Sequence, residues 1–331
     1  MKKIFKMLSI MFLGLFAINL VSCGESKEEK YTKGLKFTLS SDEKSYMVEK
    51  GRAIDVADIV IPSKYKGKPV KTITISGFSD CSMLETVVLP RSIEIISNEA
   101  FKNCVSLKYL YIPSSVSHMG ENVFYNCKNT ILFCEHEQKP NGWSNNWNRD
   151  ANNGSYFYLK TYRGVSAFET IDDIQYCIAK GKAIISKYLG NEDNVVIPSS
   201  ITINKEVYNV TEIGDYSFYS GTFNNITISE GIENIGHSAF RNCDNIKDIY
   251  IPNGVKKIYS SSFEGCNNLE TVRFPKSLEA IDESAFWYCN NLETVYYAGT
   301  KDTWDFLTRT HDGYDFSNSL NRAEIVCNYE G

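Results

Sequence analysis

Leu107, Leu110 and Ile112 stand in a Leu-x-x-Leu-x-Leu pattern, which predicts a short strand that turns alternate side chains inward. Pro113 ends that strand, because proline has no N–H for a ladder. Val116 and Met119 predict a second extended piece facing the same interior. Ahead of the strand, Ser97 or Asn98 reads as the N-cap of a single helical turn carrying Ala100 and Phe101, and Asp282 as that of a turn carrying Ala285 and Phe286.

The same phrase returns along the chain. Phe78, Phe101 and Phe124 lie 23 residues apart, as do Phe240, Phe263 and Phe286, and Phe218 comes 22 residues before Phe240. Each is followed three places later by a cysteine, namely Cys81, Cys104, Cys127, Cys243, Cys266 and Cys289, with Gly221 in that place after Phe218. One such unit buries too few side chains to offset the ordering of its own backbone. Neighbouring units must therefore stack and share a ladder, which predicts a solenoid. Equivalent cysteines then recur at the strand spacing of about 4.8 Å with side chains parallel, a poor geometry for a disulfide. The six read as small core residues, with disulfide or metal use as the alternatives.

The sequence "IPSSV", the Ala-Phe-x-x-Cys phrase and the 23-residue period resemble the BspA-type leucine-rich repeats of bacterial surface proteins, over residues 55–127 and 195–300. The resemblance implies a β-rich (α/β) leucine-rich-repeat solenoid whose coils carry parallel short strands and one helical turn each. It also implies adhesion to host matrix proteins, mucosal surfaces or other bacteria. Three positions depart from it: Ser229-Glu230 in place of a proline-bearing pair, Gly221 in place of cysteine, and Tyr259 where glycine is usual.

The repeats form two arrays. The first stops after Cys127, with Trp143 and Trp147 as covers; the second stops after Cys289, with Trp304 as cover and "AEIVCNY" as a last strand. A hairpin-like segment opens each array, at 35–62 and 174–198, since open solenoid ends would expose both core and strand edges. The polar stretch 148–155 reads as a flexible boundary. The expected organisation is a leader at 1–22, a tether at 23–34, a first capped array at 35–150 and a second at 151–331. One continuous rod bent at the middle is the alternative.

The amino terminus has its own logic. Lys2, Lys3 and Lys6 precede the apolar run "MLSIMFLGLFAINL", about the length of a signal-peptide h-region and short for a membrane span. Leu20-Val21-Ser22-Cys23 resembles a bacterial lipobox, which implies removal of residues 1–22 and acylation of Cys23; a plain secretory signal is the alternative. Lys27-Glu28-Glu29 resembles an acidic surface-export signal, so the expected place is the cell envelope, lipid-anchored and displayed at the outer-membrane surface. Removal of the leader takes away three lysines and moves the formal net charge from −5 to −8. An acidic chain without a basic stripe argues against nucleic acid as a partner, and membrane contact is expected through the lipid alone.

Candidate chemistry is sparse. In a strand, Cys134 and His136 would share one face and Glu135 and Glu137 the other, too few on either side for zinc. The four histidines, at 118, 136, 237 and 311, fall in unrelated repeat positions. No nucleophile elbow, phosphate loop or dinucleotide fingerprint occurs, and "DGYDF" at 312–316 lacks calcium-loop spacing. No enzyme activity, cofactor or metal is expected.

The outward strand positions remain. By the repeat register these are Thr86, Val88, Tyr109 and Tyr111 in the first array, and Asn225, Thr227, Asp248, Tyr250, Thr271, Arg273, Thr294 and Tyr296 in the second. Tyrosine and arginine among short polar residues is a composition suited to binding, although tyrosine also suits exposed strands in general. Arg241, Glu264 and Trp287, which follow repeat phenylalanines, are expected to lie away from this face. Three readings follow: adhesion to an extracellular protein, glycan capture for nutrient uptake through exposed aromatics, and an envelope spacer that binds nothing.

Overall fold

The computed structural model describes residues 31–128, 130–152, 155–282, 284–308 and 318–329. The leader, Cys23, Lys27-Glu28-Glu29, His311 and the 312–316 stretch lie outside them. The chain divides into two compact units, one ending at Val165 and the other beginning at Ser166. Each is a β-rich leucine-rich-repeat solenoid whose coils have three sides.

The first side is the predicted strand. In the first unit Asp58–Val60, Thr86–Val88, Tyr109–Ile112, Ile131–Cys134 and Thr161–Arg163 form one five-stranded parallel sheet. Alternation places Val87, Leu110 and Leu132 in register on the inner face, all buried. Pro113 follows the last residue of its strand, as its missing N–H requires. The second side holds shorter pairings: the two-residue strand Ile95–Ile96 pairs in parallel with the end of Lys68–Ile73 and with His118–Met119. Val116 and Met119 are buried there as expected.

The third side differs from the sequence expectation. The single helical turn around Ala100 and Phe101 does not form. Instead, tight turns follow one another, with Ala100 N–H bonded to Ser97 O and Cys104 N–H to Phe101 O, at 3.3 and 3.2 Å. Between them Glu99 and Asn103 adopt φ of +57° and +62°, a left-handed geometry that no α-helix continues through. The amides this frees bond along the stack: Phe78 N–H donates to Ala100 O at 2.7 Å and Phe101 N–H to Val123 O at 2.9 Å. Asn98 caps the next coil rather than its own, accepting from Glu121 N–H at 3.0 Å. Ser284, at φ +61°, breaks the turn before Ala285 and Phe286 in the same way.

The second unit repeats this plan. Its opening hairpin pairs Ile174–Ala179 with Lys182–Tyr188, and the second-side ladder continues through Glu206–Ile213, Asn234–Ile235, Lys257–Ile258 and Ala280–Ile281. Its first-side strands fall into two sheets. Asn194–Ile197 pairs with Asn225–Ile228, and Asp248–Tyr250 starts a separate sheet with Thr271–Phe274, Thr294–Tyr297 and Glu324–Cys327.

The ends are covered largely as the sequence suggests. The hairpin Lys36–Leu39 with Tyr46–Glu49 opens the first unit. Trp143 continues the second-side ladder by bridging Met119, and Trp147 meets Phe124 edge-on at 6.1 Å. In the second unit the helix Lys301–Leu307, capped by Thr300, sets Trp304 5.6 Å from Phe274 and 5.4 Å from Tyr297. The 148–155 stretch is no plain linker: Arg149–Asn152 and Ser155–Tyr158 pair as an antiparallel hairpin. The next strand, Thr161–Arg163, joins the first unit's sheet, and this moves the division from 150 to 165.

Candidate functional site

Pairing in the second unit puts Tyr250, Arg273 and Tyr296 in register on three consecutive coils, with Asp248, Thr271 and Thr294 in the column beside them. The inward residues Ile249, Val272 and Val295 are buried, so the alternation that fixes the core also fixes this outer row. Tyr250 is 48% exposed. Arg273 pairs with Asp248 and lies over the Tyr296 ring, 5.2 Å from its centre. Tyr296 in turn rests 5.0 Å from Tyr329, which sequence reasoning did not include. Asn225 and Thr227 are exposed beside this row but on the neighbouring two-stranded sheet. The row spans about 10 Å, two strand spacings.

The first unit presents a different face. Thr86, Val88, Tyr109 and Tyr111 do point outward, half-buried. The column of Tyr111 continues into Phe133 and Tyr162, stacked at 5.4 Å and both buried. Tyr111 is also committed internally: its hydroxyl donates to Glu135, which accepts two bonds from Arg91 and one from Ser114 N–H at 2.8 Å. Three coils are thus clamped by one carboxylate, and Tyr111 drops out as a free contact residue. Glu135 sits where Pro62, Pro90 and Pro113 stand in the preceding coils, and its N–H donates to Ile112 O at 3.1 Å. A charged residue in a proline column was the signal available in the sequence.

Burial alone would push the Glu135 carboxyl up, but hydrogen bonds from Ser114, Tyr111 and Arg91 more than reverse this and hold it below the ordinary glutamate value of 4.5. A depressed folded value stabilises the fold above the unfolded value, and that stability is lost as pH falls through the folded one. Glu135→Gln is therefore expected to cost about 1–3 kcal/mol at neutral pH. The gap to wild type should close in acid, as read by urea unfolding at pH 7 and about pH 3. An equal gap at both would remove the charge from the account.

Cys134 and His136 do not form a metal site. Cys134 is fully buried, and burial pushes its thiol up to about 12. The His136 Nε2 lies 3.1 Å from Val116 O and its ring meets Trp143 edge-on. Among the described residues no three His, Cys, Asp or Glu side chains converge as ligands.

The six repeat cysteines are buried free thiols. The sequence did not reveal a polar contact that five of them make: Cys104 Sγ–H donates to Phe78 O at 3.1 Å, Cys127 to Phe101 O at 3.0 Å, and Cys243, Cys266 and Cys289 repeat this on Phe218, Phe240 and Phe263. Each links its coil to the one before. Burial raises the thiols of Cys81 to about 11 and of Cys243 and Cys289 to about 12, which keeps them protonated and inert as nucleophiles.

At Gly221 the missing cysteine has a cause, because a Cβ there would stand 2.2 Å from the Phe223 ring. The coil is one residue shorter, and buried Phe223 fills the space that cysteine and leucine share elsewhere. Ser229, in place of proline, donates its N–H to Ile197 O at 3.1 Å. Tyr259 is accommodated under Lys257, 4.4 Å above its ring. Arg241, Glu264 and Trp287 stand in turns outside the strand face, but Glu264 is buried and paired with Arg241 at 2.8 Å. Trp287 is exposed.

Residues 55–134 and 193–305 match the BspA type leucine rich repeat region, in six copies. Among solved structures the chain is similar to a leucine-rich repeat protein from Bacteroides capillosus, at 26% identity over 40% of this chain and 99% of that one, with a TM-score of 0.38. It is also similar to a leucine rich cell surface protein from Faecalibacterium prausnitzii, at 19% identity over 86% and 98%, TM-score 0.38. The pneumococcal vaccine antigen PcpA is 14% identical over 92% and 86%, TM-score 0.41. Comparison with curated proteins found no match.

Proposed function

Because the chain belongs to the BspA-type leucine-rich repeat family, we propose that it is a lipid-anchored protein of the cell surface that binds an extracellular partner through the strand face of its second unit. The observation that carries this reading is the outward row of exposed Tyr250 and half-buried Arg273 and Tyr296. These residues are held in register by the ladder, and the core has no need of their side chains. Tyrosine and arginine are the side chains that most often anchor interfaces. The partner is taken as a protein of the host matrix, the mucosa or another bacterium. The binding role is non-catalytic and uses no cofactor.

Attachment would run through Cys23, the residue after the lipobox-like Leu20-Val21-Ser22. Radiolabelled palmitate is expected to enter the wild-type protein in cells and not Cys23→Ala. Equal labelling of the two would end the anchoring claim. For binding, the purified mature chain is laid over an array of matrix proteins, mucins and bacterial surface proteins. Binding to a protein component supports the reading, and silence across the array would leave the protein a spacer.

A further inference from the structure

The residue before each repeat cysteine, and Ser220 before Gly221, is left-handed: Asp80, Asn103, Asn126, Ser220, Asn242 and Gly265 have φ between +55° and +74°, and Tyr288 has +60°. Asn, Asp and Gly tolerate this geometry; a bulky aromatic side chain does so at a cost. Tyr288 receives little return from core packing, because it is 63% exposed. Its neighbour Trp287 is 36% exposed, whereas Trp143, Trp147 and Trp304 are buried. The two rings meet at 78° with centres 6.4 Å apart, forming an open aromatic corner on the turn side of the last coil. Strain kept at an exposed side chain points to a use outside the fold.

The surroundings define what the corner would accept. Asn267 donates to Asp244 at 3.1 Å and Asn290 to Asn267 at 2.8 Å, a ladder of amides that ends at exposed Asn290, two residues from Tyr288. Arg241 and Glu264, which occupy the column of Trp287 in the two preceding coils, neutralise one another. An aromatic corner offers ring faces to C–H groups, and an amide offers both a donor and an acceptor to hydroxyls. With the charges of Arg241 and Glu264 cancelled in the column of Trp287, we infer that Trp287, Tyr288 and Asn290 form a binding site for a neutral sugar ring of a glycan, separate from the strand face.

The test uses the full mature chain with mannan, β-glucan, galactan and xylan in affinity electrophoresis. Acrylamide quenching runs in parallel and reads Trp287, the exposed tryptophan among the four. At least one polysaccharide should retard the protein and shield Trp287. Trp287→Ala or Tyr288→Asn should weaken that retardation at least tenfold, while the strand-face variant Tyr250→Ala/Arg273→Ala/Tyr296→Ala keeps it. Tyr288→Asn should also melt at a higher temperature than wild type, which separates loss of a site from loss of the fold. The inference is overturned if none of the four polysaccharides shields Trp287, if Tyr288→Asn binds like wild type, or if it melts lower. Retardation lost only in the strand-face variant would also overturn it.

Discussion

Replacing Phe101 with alanine is expected to destabilise the first unit by about 3–5 kcal/mol, the cost of deleting a buried aromatic ring. Phe101 lies between Phe78 and Phe124, 5.6 Å from each and within 9° and 2° of parallel. It therefore loses contacts with both neighbouring coils. The consequence exceeds one cavity: Cys127 donates to Phe101 O, and the Phe101 N–H donates to Val123 O. A backbone that slumps into the void disturbs both bonds. Phe101→Leu, which keeps most of the volume, should cost about 1.5 kcal/mol or less. Urea unfolding followed by tryptophan fluorescence measures both, since Trp147 abuts Phe124 at the end of the same ring stack. A loss below about 1 kcal/mol for the alanine variant would mean that the stack relaxes around the gap.

The second large effect is on binding. With Tyr250, Arg273 and Tyr296 all changed to alanine, affinity for a protein found on the array should fall at least about thirtyfold, equivalent to truncating one anchor worth about 2 kcal/mol. The fold should lose far less. The Arg273–Asp248 pair is solvent-exposed on the aspartate side, and surface pairs of this kind contribute about 0–1 kcal/mol. The contact of Tyr296 with Tyr329 adds a small packing loss. A suitable control changes Lys256, Lys276 and Glu279, which are exposed and lie off the strand face. If the control loses binding and the strand-face variant retains it, the functional face has been misplaced.

The stacked core was open to inspection because its signal is repeated. Phe101 or Cys104 alone says little, but seven phenylalanines in one register, six of them with a cysteine three places on, leave few alternatives to a stack. The caps were readable for a similar reason, since tryptophans appear where the period stops. The turn side was not. Asn and Ser serve equally as helix N-caps and as left-handed turn residues, so Ser97 to Asn103 suit either geometry until the neighbouring coil claims the amides. Asn153-Gly154 is a hairpin signal in the sequence, and the polar composition of 148–155 hid it. Within the candidate site, the register of Tyr250, Arg273 and Tyr296 followed from the period. The clamp on Glu135 that removes Tyr111 did not, because it depends on side chains from three coils meeting at one carboxylate.

The bonds between coils also set the entropy of growth. Cys104 reaches back 26 residues to Phe78, Asn103 reaches 23 to Asp80, and Ser92 reaches 22 to Val70. Closing a loop of roughly that length costs about 3 kcal/mol beyond a constant, by the logarithmic law for flexible chains. The cost is the same for the last coil as for the second, whatever the number in between. A fold rich in distant pairings faces a steeper search as it lengthens; here each addition closes only onto its predecessor. Array length is therefore a nearly free variable, and gaining or losing a coil changes how far the protein reaches without changing how hard it is to fold.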